Sequence, residues 1–459
     1  MTPPWTAVRQ WAQTMLGSTA GWSLFAIIVL SLSGDYLVLE FGAPAIFRRL
    51  PELLILFLLI YRLADPRFPI RLPATFAILG VTAVAAAIVA LMNDQDPFRT
   101  ATGARNLLRY PLLGFVVANL RLTPHMRNAI WGLLATLVAV QVPWTLYQWG
   151  VLGREDDGVF GTLRSTGSLA VLLLIGVLAV CAQLVYLRRH PLWLLALPLA
   201  AVPPLIGEGK AFFLLVPIAL MTAFFGSVRH RPGIAVLVTT AGILTMGYVA
   251  TLFERVQGQD DIIAFAAAKV RDPFTDTGLS AEISQAGRIN ELIDGVALAL
   301  TNGGFGEGLG ARAVFAEEVE DEFTATRALL TTSMSVRMQE LGVIGTGLYL
   351  LAMLAAIIGC GRRLRAAATP SDAFCAAVAI FVTIIMVPVL FYTNVDVPSV
   401  ALMQWLPVGL AFGIPPRLRA NAPVRQTLAR RRASPAAPPS TLPADAPAPA
   451  SRRPTWSRG

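Results

Sequence analysis

The chain has 459 residues, of which 55% are hydrophobic and 14% are charged, and its net charge is +9. A mean hydropathy of +0.62 and repeated apolar runs of about 17 to 25 residues exclude an ordinary water-soluble domain. The basic residues lie mainly in short loops and in the C-terminal tail, so they indicate membrane topology rather than nucleic-acid binding. The cysteines lie in or beside apolar runs without ligand-like spacing, which argues against disulfides and zinc: Cys181, Cys360 and Cys375.

In chain order, the apolar runs predict about twelve transmembrane helices. They cover residues 20–38, 50–63, 73–92, 107–120, 129–150, 168–187, 191–206, 211–227, 234–253, 341–359, 373–392 and 399–414. The predicted fold class is therefore an all-α polytopic integral membrane protein with one large outer loop.

The basic clusters at 188–189, 229–231 and 362–365 alternate with loops poor in Lys and Arg, so the positive-inside rule places them and both termini in the cytoplasm. The predicted organisation is a cytoplasmic N-terminus (1–19), nine membrane helices (20–253), a periplasmic loop with an interfacial helix and a glycine-rich segment (254–340), three further membrane helices (341–414) and a basic tail (415–459). Because the tail is rich in Pro, Ala and Arg and has no apolar periodicity, we expect it to be disordered.

This topology places all three histidines on the cytoplasmic side, so no histidine remains as an outer base or metal ligand: His125, His190 and His230. Several basic residues instead fall on the outer face, against the rule. They are Arg48, Arg49, Arg99, Arg105, Arg109, Arg164, Lys210, Arg288, Arg312, Arg327 and Arg337. An anionic ligand on that face is one physical reason to keep them there.

The large loop contains a predicted helix over 282–300, with a polar face and an apolar face. The polar face holds Ser284, Arg288, Glu291 and Gly295, and the apolar face holds Ile289, Leu292, Ile293, Val296 and Leu300. Such a helix would lie on the outer membrane surface and direct Arg288 towards a central cavity, where its guanidinium can bind phosphate oxygens. The alternative is an ordinary interfacial helix with a solvated Arg288–Glu291 pair.

Three other segments also suit an anion. The glycine run NGGFGEGLG (302–310), which includes Glu307, can form a nest of amides, although a flexible turn is the commoner reason for such a run. Lys210 in GEGK lies near a helix start, where it binds an anion or pairs with Glu208. Arg105 and Arg109, at i and i+4, repel each other unless a polyanion binds them, or else they reach lipid phosphates. Asp35 and Asp396 interrupt apolar runs, which is costly away from the membrane ends.

The order of these pieces resembles the bacterial O-antigen ligase and O-antigen polymerase superfamily. The matching pieces are GR at 287–288, FGEGLG at 305–310 and ELGVIG at 340–345, with TLRSTGSLA (162–170) and GEGKAFFLL (207–215) similar to outer loops that carry a basic residue. The resemblance runs from the second apolar run to Ile414 through short motifs. Ligases of this family usually carry His-Asn before the glutamate, where this chain has Thr331 and Thr332, so a polymerase or a ligase that uses a carboxylate fits better.

The resemblance implies a glycosyltransferase C-type membrane enzyme of the bacterial inner membrane. Its donor would be an undecaprenyl-pyrophosphate-linked glycan, and its partners would be the lipid bilayer, a flippase and a chain-length regulator. We expect inversion at the anomeric carbon without a metal or cofactor. The expected pyrophosphate contacts are Arg105, Arg109, Arg164, Lys210, Arg288 and Arg337, and the carboxylates for acceptor binding or base work are Glu291, Asp294 and Glu307. Transfer to a lipid or protein acceptor, a lipid-linked glycan flippase or other transporter, and a noncatalytic assembly subunit are the alternative functions.

Overall fold

The computed structural model describes residues 13–65, 69–154, 158–163, 165–207, 210–257, 285–311, 332–392 and 396–415. Within these ranges the regular structure is helical, without a β-strand. The helices are α1 (Thr19–Phe41), α2 (Ile46–Leu63), α3 (Ala74–Met92), α4 (Pro97–Asn119), α5 (Pro124–Gly150), α6 (Thr166–Ala182), α7 (Ala196–Ile206), α8 (Lys210–Val228), α9 (Pro232–Gln257), α10 (Gln285–Thr301), α11 (Ser333–Arg365), α12 (Pro370–Leu390) and α13 (Pro398–Phe412). A π-helical turn, Gln183–Leu187, extends α6, and a 3-10 turn, Pro191–Leu195, precedes α7.

Local sequence explains where many of these helices begin. At the starts of α1, α5, α6, α11 and α12, a hydroxyl side chain accepts a hydrogen bond from a first-turn amide. The capping residues are Ser18, Thr123, Ser165, Thr332 and Thr369. Proline occupies the first turn of α4, α5, α12 and α13, where its missing N–H removes no intrahelical hydrogen bond.

Each predicted apolar run coincides with a helix. The two short runs, 50–63 and 107–120, belong to longer helices, because α2 already begins at Ile46 and α4 at Pro97. Among the described residues, α1, α3, α5, α6 with its π turn, α11 and α12 are long and apolar enough to cross a membrane. Shorter apolar helices lie within 191–206, 215–228, 232–248 and 398–412. The described part of the chain is therefore all-helical, and its long apolar helices indicate a multi-pass membrane protein.

The centre of the bundle consists of α6, α12 and α13, whose side chains are mostly buried. Helix α11 packs against α3 and α12, and α13 packs against α4 and α12. Peripheral helices expose large apolar side chains: Ile60 of α2 is 65% exposed, Val81 of α3 is 63% exposed and Leu244 of α9 is 67% exposed. A lipid environment makes such exposure favourable, so these positions mark the lipid-facing side of the bundle.

Two sets of ion pairs and hydrogen bonds between distant segments lie towards opposite ends of the bundle. At the predicted cytoplasmic ends, Arg62 Nε donates to the Asn119 carbonyl at 2.9 Å. There the guanidinium of Arg127 lies 2.5 Å from the Asp372 carboxylate. The other set of contacts lies at the helix ends that the sequence places outside, which we call the predicted outer end.

Candidate functional site

Four arginines and two carboxylates from distant parts of the chain meet at the predicted outer end. The group, called the outer cluster below, comprises Arg49 and Glu52 of α2, Arg105 and Arg109 of α4, Arg337 of α11, and Asp396 just before α13. Because α2, α4 and α11 are held by the apolar packing of the bundle, the positions of these charges are set by the fold.

Glu52 lies at the centre of one half of the outer cluster. Its Oε1 is 3.1 Å from Arg109 NH1 and 3.8 Å from Arg49 NH1, and its Oε2 is 3.8 Å from Arg105 Nε. One carboxylate thus faces three guanidinium groups. The attraction to Glu52 offsets the repulsion expected between Arg105 and Arg109 one helical turn apart.

Asp396 joins α4 to α11 in the other half. Its carboxylate accepts a hydrogen bond from Arg337 NH2, and its backbone carbonyl accepts one from Arg109 NH2. The Arg337 guanidinium also lies 5.1 Å from the centre of the Tyr349 ring. Arg337 is only 2% exposed, so the outer cluster extends from the surface into the interior of the bundle.

The outer cluster carries more positive than negative charge. Its four guanidinium groups face the carboxylates of Glu52 and Asp396, and the buried Glu340 carboxylate also attracts Arg337. The Nε atoms of Arg109 and Arg337 are buried without a hydrogen-bond partner among the described residues. A guanidinium presents paired donors that match two phosphate oxygens. Partly buried cations in excess of carboxylates are therefore suited to an anion with several oxygens.

The glycine run contacts the start of α11 through its own amides. Glu307 N donates to the Gln339 carbonyl at 2.8 Å, and Gly308 N donates to the Glu340 carbonyl at 3.1 Å. Gly310 N donates to the Glu340 side chain at 3.2 Å. These amides already have acceptors in the protein, so the anion nest predicted for this run is filled by α11. The run packs against α11 rather than forming a flexible turn. We call the contact between the glycine run (302–310) and α11 the glycine joint.

The same joint explains why α11 bends. Gly342 has φ +69°, outside the helical region, and interrupts α11. A Cβ at this position would lie 2.3 Å from the Gly304 carbonyl oxygen and 2.4 Å from Gly306 N. Only glycine fits this close backbone approach. Two motifs that are remote in sequence, FGEGLG and ELGVIG, thus meet in one structure.

Helix α10 packs beside this joint, against α11. Gly295 and Ala299 are buried, and a Cβ on Gly295 would lie 3.3 Å from the Met338 Cβ. Ile293 and Leu300, from the predicted apolar face, are 53% and 64% exposed. The side that contacts the protein therefore includes Gly295 of the predicted polar face and Leu292 of the predicted apolar face, whereas Ile293 and Leu300 point away from it.

The sequence-predicted site residues fall into three groups. The outer cluster brings together Arg105, Arg109 and Arg337, whereas Glu291 is half-buried in α10, Glu307 is half-buried in the glycine run and Asp294 is exposed. Arg288 and Lys210 belong to α10 and α8, but their side chains lie outside the described residues, as does Arg164 entirely. The roles assigned to these residues stay predictions.

Sequence reasoning missed Glu52, the carboxylate with the most arginine neighbours in the outer cluster. Its signal was available, because Glu52 is the only acidic residue in the run 50–63 and lies three residues after Arg49. The sequence marks Asp396 as a costly interruption of an apolar run, and its contacts with Arg337 and Arg109 give the reason for its position.

Comparison of the sequence with protein-family models and with curated proteins gave no match.

Proposed function

We propose that this protein is a membrane glycosyltransferase that polymerises undecaprenyl-pyrophosphate-linked oligosaccharide units at the outer face of the bacterial inner membrane. The observation that carries the proposal is the excess of guanidinium groups in the outer cluster. A lipid-linked pyrophosphate has the required charge, and its lipid tail would lie in the bilayer around the bundle. The resemblance of the motifs that meet at Gly342 to those of O-antigen polymerases and ligases supports the same reading.

In the proposed reaction, an acceptor hydroxyl attacks the anomeric carbon of the donor sugar. The bond from that carbon to the pyrophosphate oxygen breaks, the electron pair stays on the leaving pyrophosphate, and the new glycosidic bond has inverted configuration. The arginines of the outer cluster would stabilise the charge that develops on the leaving group, an effect that needs donors fixed in advance. Glu291 and Glu307 are the proposed carboxylates for acceptor binding or proton removal.

The proposal includes a topology of about twelve spans with a glycosyltransferase C-type arrangement and both termini in the cytoplasm. Reporter fusions at Gly258 and Arg363 test it, because they fall in the predicted periplasmic loop and in a predicted cytoplasmic cluster. A cytoplasmic reporter at Gly258 would invert the topology and remove the outer cluster from the periplasmic face.

The direct test is to delete the gene in its host and separate the accumulated lipid-linked glycans by size. Single repeat units on lipid without long chains are the expected result. Full-length polymer left on its carrier would indicate a ligase, and units confined to the inner leaflet would indicate a flippase. Complementation with Arg288→Ala or Lys210→Ala is expected to leave protein levels intact and to abolish long polymer. Normal chain lengths in both variants would contradict their assignment to the site.

A further inference from the structure

Next to the outer cluster, aromatic rings from three segments pack together at the predicted outer end. Tyr36 of α1 lies 5.9 Å from Trp144 of α5 and 6.3 Å from Phe160, and Trp144 lies 5.4 Å from Tyr147, measured between ring centres. We call these four residues the aromatic group. Trp and Tyr also form lipid-facing belts at membrane surfaces. In this group, however, Tyr36 is only 5% exposed, so the group extends inward from the lipid face.

A bidentate ion pair borders the aromatic group. Arg154 NH1 and NH2 lie 3.0 and 2.5 Å from the two carboxylate oxygens of Glu40, and the Arg154 guanidinium lies 5.5 Å from the centre of the Phe160 ring. The hydrogen bond to Glu40 raises the pKa of Arg154 above its ordinary value. Both side chains are about one-quarter exposed, so they remain within reach of a ligand.

Two buried glutamines hold the segment that carries Phe160. Gln148 exchanges two hydrogen bonds with the backbone of Gly161, at 2.9 and 2.8 Å. Gln141 accepts a hydrogen bond from Thr162 N and donates one to the Thr162 hydroxyl, both at 2.9 Å. A lipid-facing belt does not require such a clamp, because a ring in lipid tolerates many orientations. The clamp instead fixes Phe160 in one place beside Arg154.

One ion pair between α1 and α2 lies between the aromatic group and the outer cluster along these helices. Asp35, adjacent to Tyr36 in sequence, lies 3.0 Å from Arg48 Nε. The next residue, Arg49, contacts Glu52 of the outer cluster. The aromatic group and the outer cluster are therefore both anchored on the same neighbouring segments of α1 and α2.

We propose that the aromatic group, with Arg154 and Glu40, binds the saccharide units of a glycan whose pyrophosphate is held by the outer cluster. This inference rests on the proposed function and adds a second subsite to it. The C–H faces of a sugar ring carry slight positive charge and stack on the negative face of an aromatic ring. Sugar hydroxyls both donate and accept, so Glu40 can accept from them and Arg154 can donate to them. The aromatic group therefore binds the glycan, and the outer cluster binds the phosphates.

The test measures binding of a repeat-unit oligosaccharide, released from the host polysaccharide by limited acid hydrolysis, to the full-length protein in nanodiscs by calorimetry. Trp144→Leu and Arg154→Gln are each expected to weaken binding about tenfold, equivalent to about 1.4 kcal/mol. The matched control is Trp193→Leu, which removes a 45%-exposed tryptophan at the predicted cytoplasmic end and should leave binding unchanged. A size-exclusion profile establishes that each variant is folded.

Normal oligosaccharide affinity in folded Trp144→Leu and Arg154→Gln would overturn the inference, as would the absence of binding to the parent protein. The outcome is independent of polymerisation. If the deletion strain lacks long polymer but both variants bind normally, the proposed function stands and the glycan subsite is wrong. If the deletion strain has an unchanged glycan profile but both variants lose affinity, the subsite stands and polymerisation is wrong.

Discussion

The two ends of the helical bundle differ in how far their buried cations are neutralised by carboxylates. At the predicted cytoplasmic end, Arg127 of α5 pairs with Asp372 of α12, one cation with one carboxylate, and both side chains are less than a tenth exposed. At the predicted outer end, Glu52 alone faces three guanidinium groups, and Arg337 shares Asp396 with Arg109. One site is balanced and closed, whereas the other has positive charge in excess.

We interpret the balanced pair as structural and the outer cluster as the proposed anion site. A balanced buried pair keeps two helices in register, because one carboxylate neutralises one cation, although Arg127 Nε, like Arg109 Nε and Arg337 Nε, is buried without a hydrogen-bond partner among the described residues. In an unbalanced cluster the excess cations repel one another, and a bound anion would reduce that repulsion. The contacts around each site agree with this division, since Trp131 Nε1 donates to Cys375 Sγ at 3.0 Å beside the balanced pair and completes a closed interior.

Breaking the balanced pair is expected to cause the largest loss of stability. Arg127→Met or Asp372→Leu leaves one uncompensated buried charge, which costs about 3–5 kcal/mol. The double variant removes both charges and should recover most of the loss. Thermal unfolding of the protein in detergent, followed by size exclusion, measures the three variants. A double variant whose loss equals the sum of the two single losses would show that the pair has no coupling.

The glycine joint offers a second matched pair. A Cβ at Gly308, where φ is +102°, would lie 2.2 Å from the Ala90 Cα, whereas one at Gly303, where φ is +65°, has nothing within 4 Å. Gly303→Ala should therefore cost only the left-handed backbone strain, about 1–2 kcal/mol. Gly308→Ala also displaces α3 and should cost about 3 kcal/mol in total. Similar thermal midpoints for the two variants would mean that the joint is not tightly packed.

Much of the fold follows from the sequence because apolar runs and helix caps are local signals. The run 73–92 and its helix Ala74–Met92 agree within one residue. The predicted span 107–120 covers only the second half of α4, because Arg99 and Arg105 lower the apolarity of the first half. Charged residues lower the mean hydropathy of a half-helix, so an apolar run does not reveal it. Contacts with distant segments compensate those charges in the folded protein, and the sequence does not show these contacts.

Part of the site was predictable because its signal is also local in the sequence. Arg105, Arg109 and Arg337 were selected because they violate the positive-inside rule, which is a property of single positions. Their contacts with Glu52 and Asp396 depend on how α2, α4, α11 and the segment before α13 pack, which the sequence alone does not specify. The sequence also does not show that amides of the glycine run have acceptors within the protein. One of these acceptors is the Glu340 side chain, which reaches Gly310 N.

Removing a cation from the unbalanced end is expected to weaken anion binding, in addition to the loss of stability from leaving Asp396 without Arg337. Arg337→Gln should lower the affinity for inorganic pyrophosphate about tenfold or more, because a charged hydrogen bond contributes about 1.5–3 kcal/mol. The measurement is the rise in thermal midpoint on adding pyrophosphate, compared for each variant with its own unliganded protein. Arg363→Gln, which removes a guanidinium bound to the Ile414 carbonyl at the predicted cytoplasmic end, is the control. Equal protection of both variants would place the pyrophosphate site elsewhere.

Removing a carboxylate from the same cluster should have the opposite and smallest effect. Glu52→Gln keeps the size of the side chain but leaves Arg49, Arg105 and Arg109 without their shared counter-ion. Their mutual repulsion then lowers the stability of the free protein slightly, and a bound pyrophosphate relieves more of it than in the parent. We expect about threefold tighter pyrophosphate binding, or about 0.6 kcal/mol, with a smaller gain at high salt because these charges are partly exposed. Weaker binding in Glu52→Gln would mean that Glu52 holds the arginines in their binding geometry. The site would then depend on the arrangement of the cations rather than on their excess charge.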